Sequence, residues 1–254
     1  MTHAHPLPSP LPTDAPRVVA ITGGSRGIGA AIARRLCADG YAVAVGYRSD
    51  AETATTLVDD LRAHGAVAGA FQVDITDPAS LERFLDGAEG LGPLVGVVAN
   101  AGAVSAVGPL VTLDPDAIRR DIEVNVLGPV LTARAAAPRL SATRGSMVLI
   151  GSAATTSGSP GTYVHYAAAK SAVATLTTGL ARELAPDSVR VNCVEPGTVW
   201  TDFHADPARP AKVAESIPLG RAGMPDEISG AVAWLLSDDA AYATGAVLRV
   251  AGGL

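Results

Sequence analysis

Val18-Val19-Ala20-Ile21-Thr22-Gly23-Gly24-Ser25-Arg26-Gly27-Ile28-Gly29 is the stretch that decides the fold of this 254-residue chain. Its four leading apolar residues read as a strand buried on both faces, as in a parallel sheet covered by helices. Glycines follow at once. Beyond them Ile28, Ile32 and Leu36 recur at helical spacing until Gly40 ends the run. In a strand–glycine turn–helix unit, backbone N–H groups can approach a pyrophosphate, and the helix N-terminus favours its charge. Glycine spacing alone would equally describe a plain turn. The buried strand before it and the amphipathic helix after it favour a dinucleotide site.

The alternation continues to the end of the chain. Tyr41–Tyr47, Val67–Val73, Leu94–Ala99, Met147–Ile150, Val189–Val194 and Ala246–Val250 read as further strands. Helices are expected over Asp50–His64, after Asp77-Pro78, over one long stretch Pro115–Leu140, and over Tyr163–Leu184 and Pro225–Leu236. This predicts an α/β fold in one domain, residues 17–254: a doubly wound parallel sheet of Rossmann type with about seven strands. Residues 1–16 carry Pro6, Pro8, Pro10, Pro12 and Pro16 and no apolar signal-peptide core, so they are expected to be a mobile tail.

With 48% hydrophobic residues the chain can bury one sizeable core. A net charge of −6 without a basic stripe argues against a nucleic-acid partner, and the absence of a long apolar run argues against a membrane span. Cys37 in a helix and Cys193 in a strand read as buried thiols, which fits a cytoplasmic protein. The five histidines and two cysteines are not at metal-ligand spacings, so no metal is expected.

Tyr166-Ala167-Ala168-Ala169-Lys170, with Ser152 upstream, carries the second chemical signal. Tyr166 and Lys170, four apart on a helix, share one face. An ammonium beside a phenol lowers a pKa that is otherwise about 10, towards the range useful for proton transfer. Tyrosine and lysine fall at this spacing by chance too, and could merely decorate a helix. His165 points about 100° away from Tyr166, so it is expected at the surface or an interface rather than as a second acid.

The second strand ends Val45-Gly46-Tyr47-Arg48-Ser49, with no acid at its tip to bond a ribose hydroxyl. Arg48 and Arg26 suit the 2′-phosphate of NADP(H). Arg48 could instead be an ordinary solvated residue. Asp50 either caps the next helix or turns inward, which would make NAD(H) possible.

Taken together, Thr22-Gly23…Gly27-Ile28-Gly29, Asp74-Ile75, Asn100-Ala101-Gly102, Asn125-Val126-Leu127-Gly128, Ser152, Tyr166/Lys170 and Pro196-Gly197-Thr198-Val199 with Thr201 resemble the short-chain dehydrogenases/reductases. The likeness runs from Arg17 to Leu254. It implies an oxidoreductase in which Tyr166 gives a proton to a carbonyl as hydride arrives from the nicotinamide, or accepts one in reverse. It further implies that Ser152 orients the carbonyl, that Lys170 also bonds the nicotinamide ribose, and that Asn125 holds a water leading to solvent. Cofactor contacts are implied for Gly23, Ser25, Arg26, Gly27, Ile28, Gly29, Arg48 and Ser49. Asp74 would meet the adenine amino group, Ile75 would cover its ring, and Asn100, Ala101 and Gly102 would lie by a ribose. Pro196, Gly197, Val199 and Thr201 complete the implied set. Residues 202–218 would form a substrate lid in which Phe203 and His204 are candidate pocket residues.

Departures from the family pattern are Ala99 before Asn100, Glu195 before Pro196, Ala251 before Gly252-Gly253, and one extra residue between Ser152 and Tyr166. The leading expectation is an NADPH-dependent ketone reductase resembling the 3-oxoacyl-carrier-protein reductases, with Arg134, Arg139 and Arg221 as candidates for a carrier-docking patch. A sugar or polyol dehydrogenase and a non-catalytic NADP-binding scaffold are the alternatives. The family also implies a homotetramer, joined through the long helices with their small residues Ala133, Ala135–Ala137, Ala167–Ala169 and Ala172.

Overall fold

The computed structural model describes residues 15–203 and 206–254. The first fourteen residues of the expected tail, and His204, lie outside them.

Seven parallel strands form one sheet: β1 Val18–Thr22, β2 Ala42–Tyr47, β3 Ala68–Gln72, β4 Leu94–Ala99, β5 Ser146–Ile150, β6 Arg190–Pro196 and β7 Val247–Val250. Their order is β3-β2-β1-β4-β5-β6-β7. β1 shows why the strand was legible as doubly buried. Val18 and Ala20 enter the core on one face, while Val19 and Ile21 enter the core on the other. Each such side chain gains roughly 1.5–3 kcal/mol from burial.

Helices α1 Gly27–Ala38 and α2 Ala51–Ala63 contribute Ile32, Leu36, Leu57 and Leu61 to the β1 face bearing Ile21. α3 Pro78–Glu89 supplies Leu81, Phe84 and Leu85 to the opposite face. It starts as expected, with Pro78 in its first turn and the Asp77 carboxylate accepting from the Ala79 amide at 2.9 Å.

The long helix expected over Pro115–Leu140 carries a π-helical turn inside it: α4 Pro115–Ile122 runs into the turn at Glu123–Leu127, and α5 Gly128–Thr143 follows without a break in the helical backbone. The turn suits Pro129, which has no N–H to donate and whose ring would meet the carbonyl of Asn125 in a regular α-helix. After β5 come a short α6 Ala154–Ser157, not anticipated from the sequence, and the long α7 Val164–Leu184. A short α8 Arg209–Val213 lies in the expected lid, and α9 Pro225–Leu236 packs against α1.

The strand order reverses between β1 and β4, so the loops after β1, β4, β5 and β6 gather at one edge of the sheet. A crevice at such a switch point is where open α/β sheets bind ligands.

Candidate active site

A cavity of about 690 Å³ occupies that crevice, within the usual range for small-molecule sites. At one end lies the glycine loop. Gly23 and Gly27 have φ of +61° and +53°, conformations that side chains resist. Gly29 permits the closest approach, because a Cβ there would stand 2.2 Å from the Gly23 carbonyl.

The loop is tied to the end of β4. Thr22 Oγ1 accepts from the amides of Asn100 and Ala101, each at 3.1 Å. Asn100 Nδ2 donates to the carbonyls of Thr22 and Gly23 at 3.0 and 2.8 Å. The Asn100 amide group therefore holds the loop in shape, while the residue still lines the cavity.

Arg26, Arg48 and Ser49 line the same end. Asp50 also lines it, but its carboxylate caps α2 by accepting from Thr53 N at 3.0 Å and Thr53 Oγ1 at 2.7 Å. Of the two roles open to it, the helix cap is the one observed. Arg48 Nε lies 3.6 Å from Asp74 Oδ2, and the Arg48 side chain is largely exposed. Asp74 Oδ1 accepts from Thr76 Oγ1 and Thr76 N, and those bonds hold the carboxyl below its ordinary value. Ile75, Gly102, Pro196, Gly197, Val199 and Thr201 border the cavity as well.

At the other end Ser152, just beyond β5, accepts from the Ala154 amide at 3.1 Å and hydrogen-bonds the Tyr166 phenol. Lys170 Nζ donates to the Ile150 carbonyl at 2.8 Å and stands 5.6 Å from the centre of the Tyr166 ring. Both side chains are buried. One sequence expectation is corrected here. Burial pushes the Tyr166 phenol above its ordinary pKa, with only the Ser152 bond pulling the other way. The same burial lowers Lys170 to about 8.

Asn125 sits in the π-helical turn, fully buried. Its Nδ2 donates to the carbonyls of Ala103 and Asp121 at 2.5 and 2.8 Å, and its Oδ1 has no partner. Gly102 keeps the space beside that oxygen open: a Cβ there would lie 2.9 Å from Asn125 Oδ1 and 3.5 Å from Lys170 Nζ. A buried acceptor without a donor favours an incoming one. The glycine cradle, the cations at its mouth and this orphan oxygen fit a dinucleotide.

His165 is not at the surface. It is buried against α4, where its Nε2 meets Asp121 Oδ2 at 2.9 Å. The 100° argument turned it away from Tyr166 correctly, but that side of α7 faces a helix rather than water. Asp121 also accepts from the amides of Ser105 and Ala106 and from Ser105 Oγ. Burial raises its carboxyl, but these bonds outweigh burial and hold it below its ordinary value. The pair thereby pins the loop after β4 to α4 and α7.

Glu195 is likewise explained. It is buried, accepts from Thr155 Oγ1 at 2.9 Å and pairs with Arg249 at 2.9 Å, anchoring α6 beside Ser152.

Among the cavity residues that escaped the sequence reading are Tyr163, one turn before Tyr166, and Arg209 on α8. The Tyr163 and Tyr166 rings meet edge-on, 5.3 Å between centroids, and Phe203 lies 5.8 Å from Tyr166. Tyrosines three apart could have suggested a shared helix face; nothing marked Arg209. Of the docking-patch candidates, Arg139 is neutralised by Glu82, Asp86 and Glu89, and Arg221 by Glu227. No cluster able to hold a metal occurs among the described residues. No helix there is long and apolar enough to cross a membrane.

Residues 23–254 match the family profile described as Enoyl-(Acyl carrier protein) reductase. The uncharacterized oxidoreductase YgfF of Escherichia coli is 38% identical over 244 residues, covering 93% of this chain and 99% of its own length. The 3-oxoacyl-[acyl-carrier-protein] reductase MabA of Mycobacterium tuberculosis is 36% identical, over 94% of this chain and 92% of its own. A blue fluorescent protein from a metagenomic library, solved in complex with NADPH, superimposes with a TM-score of 0.87 at 39% identity. It covers 94% of this chain and 98% of its own.

Proposed function

Because this chain belongs to the short-chain dehydrogenase/reductase family, we propose that it is an NADPH-dependent reductase of ketones, of the 3-oxoacyl type or similar. The observation that carries the proposal is the meeting of Ser152, Tyr166 and Lys170 in the same cavity as the glycine loop.

NADPH, the cofactor of the metagenomic relative, supplies hydride when bound. Gly23, Ser25, Gly27, Ile28 and Gly29 would cradle its pyrophosphate, Arg26, Arg48 and Ser49 its 2′-phosphate, and Asp74 with Ile75 its adenine. Asn100, Ala101 and Gly102 would flank a ribose, and Pro196, Gly197, Val199 and Thr201 the nicotinamide end.

Ser152 Oγ and the Tyr166 hydroxyl would converge on the ketone oxygen. Tyr166 gives its proton to that oxygen as negative charge develops there. The Lys170 ammonium stabilises the phenolate left behind, and Asn125 Oδ1 holds a water through which the proton is replaced. Asp50, engaged as a helix cap rather than turned towards a ribose, favours NADP(H), and with it the reductase over the sugar or polyol dehydrogenase. Loss of two of the three docking arginines to internal ion pairs favours a free substrate over a carrier-bound one.

We further propose a homotetramer. Ala133, Ala135, Ala136, Ala167 and Ala169 are already used inside the subunit, so they are not the contact residues anticipated. Ala168, Ala172, Thr175 and Gly179 instead form an exposed small-residue stripe along α7, with Leu127 and Val130 exposed at the start of α5.

The test is loss of NADPH absorbance, against NADH, over a panel of β-ketoesters, diketones, acyl thioesters and sugars. NADPH-dependent reduction is expected, and Tyr166→Phe should lower kcat by at least about 100-fold while still binding NADPH. Oxidation of sugars with NAD, or full activity in Tyr166→Phe, would overturn the reading.

A further inference from the structure

The substrate end of the cavity carries one cation that the proposed chemistry does not use. Arg209 opens α8 and lines the cavity with Tyr163, Tyr166 and Phe203. Its guanidinium lies 5.3 Å from the centre of the Tyr163 ring, and its Nη2 donates to Tyr163 Oη at 3.0 Å. Tyr163 in turn packs edge-on against Tyr166, so Arg209 is set one aromatic ring away from the proton donor.

A guanidinium offers five N–H donors in a planar fork. Among the described residues Arg209 has one side-chain acceptor, the Tyr163 hydroxyl, and its Nε is buried with no partner at all. It makes no ion pair with any described carboxylate. The acids nearby do not offset it. Asp206 is engaged by Lys212 at 2.7 Å and by the Ala208 amide, feeling Arg209 only at longer range. Asp202, exposed on the same cavity wall, is not paired with it. Most other arginines of the chain are matched by an acid, Arg139 by three. A buried, unmatched donor costs free energy unless something arrives to accept from it.

We infer that Arg209, braced on Tyr163, is a recognition site for an oxyanion carried by the ketone substrate, so that the enzyme acts on keto acids or keto phosphates in preference to their neutral counterparts. Arg26 and Arg48 serve the opposite end of the cavity, which leaves Arg209 free for the substrate. The fork geometry suits a carboxylate or a phosphoryl group, each of which accepts two parallel N–H bonds. This inference deepens the ketone-reductase reading and rests on it for the reaction, though not for the binding.

Two readouts separate the failure of one from the failure of the other. The probes are levulinate and its one- and two-carbon-longer homologues, the methyl ester of each, and a ketone bearing a phosphonate. Binding to the NADPH-saturated protein is measured by calorimetry, and turnover by NADPH absorbance. At least one anionic ketone is expected to bind at least about tenfold more tightly than its ester. Arg209→Gln should erase that ratio and Arg209→Lys should keep part of it; a carboxylate or phosphonate winner identifies the group. Equal binding of acids and esters, or an acid preference that survives in Arg209→Gln, overturns the inference. An Arg209-dependent preference in binding without turnover of any ketone would sustain the anion site and sink the reductase reading.

Discussion

A phenol that donates a proton at neutral pH must first keep it, which an ordinary tyrosine already does, and burial moves Tyr166 further the same way. Its neighbour Lys170 bears the opposite cost, since burial lowers its ammonium to about 8 from an ordinary 10.5. Two consequences follow at this scale. Lys170 binds its proton less readily in the fold than in the unfolded chain. Its contribution to stability is therefore full above about 10.5 and is lost as pH falls through about 8, with no further loss below. For activity the sign is reversed, because the cation is what steadies the phenolate formed on proton transfer. The rate of ketone reduction should be flat near neutrality and fall above about pH 8, while Tyr166 remains protonated. A pH profile of kcat/KM checks this, and a rate that holds level to pH values well beyond Lys170 deprotonation would remove that cation from the mechanism.

Among the elements, the π-helical turn and the His165–Asp121 pair matter most, and they show the limits of pattern reading. Pro129 disfavours a regular helix through Asn125, but Pro138 sits inside α5 without such a turn, so a proline alone does not announce it in the sequence. Asp121 was hidden differently. It lies between charged Arg120 and Ile122 and four residues after buried Ala117, and only the packing of α4 on α7 decides which neighbour it follows. The Asp121 carboxylate faces donors only: His165, the amides of Ser105 and Ala106, and Ser105 Oγ. Asp121→Asn would replace an acceptor with a donor among them, and should cost about 2–3 kcal/mol. At this chain length that is a fall in Tm of roughly 4–12 °C, measurable by calorimetry. A variant as stable as the parent would mean the loop after β4 is held by something else. By contrast β4, α9 and the glycine loop were readable almost to the residue, because β-branched runs, a first-turn proline and glycines that no Cβ could replace act locally.

For the whole molecule, the parallel sheet followed from alternation alone, whereas the strand order with its switch point and the walls of the cavity did not. Arg209 and Phe203 reach Tyr163 and Tyr166 from more than thirty positions away, and no periodicity encodes that meeting. The assembly belongs to this scale as well. Sedimentation should give a four-chain mass, and Ala172→Glu, which places a charge in the middle of the exposed α7 stripe, should yield a smaller species. A monomeric parent protein would dispose of the stripe as a contact surface. The strand order has one more consequence, for the birth of the protein. β1 leaves the ribosome before the other six strands, yet it ends in the interior of the sheet, between β2 and β4. One of its edges is covered soon, but the other waits from Val18 until Leu94 has been synthesised. Through that interval an apolar strand offers a row of unpaired amides and carbonyls to any nascent neighbour. Newly made chains should therefore be most prone to clump, and most in need of a chaperone, before their fourth strand arrives.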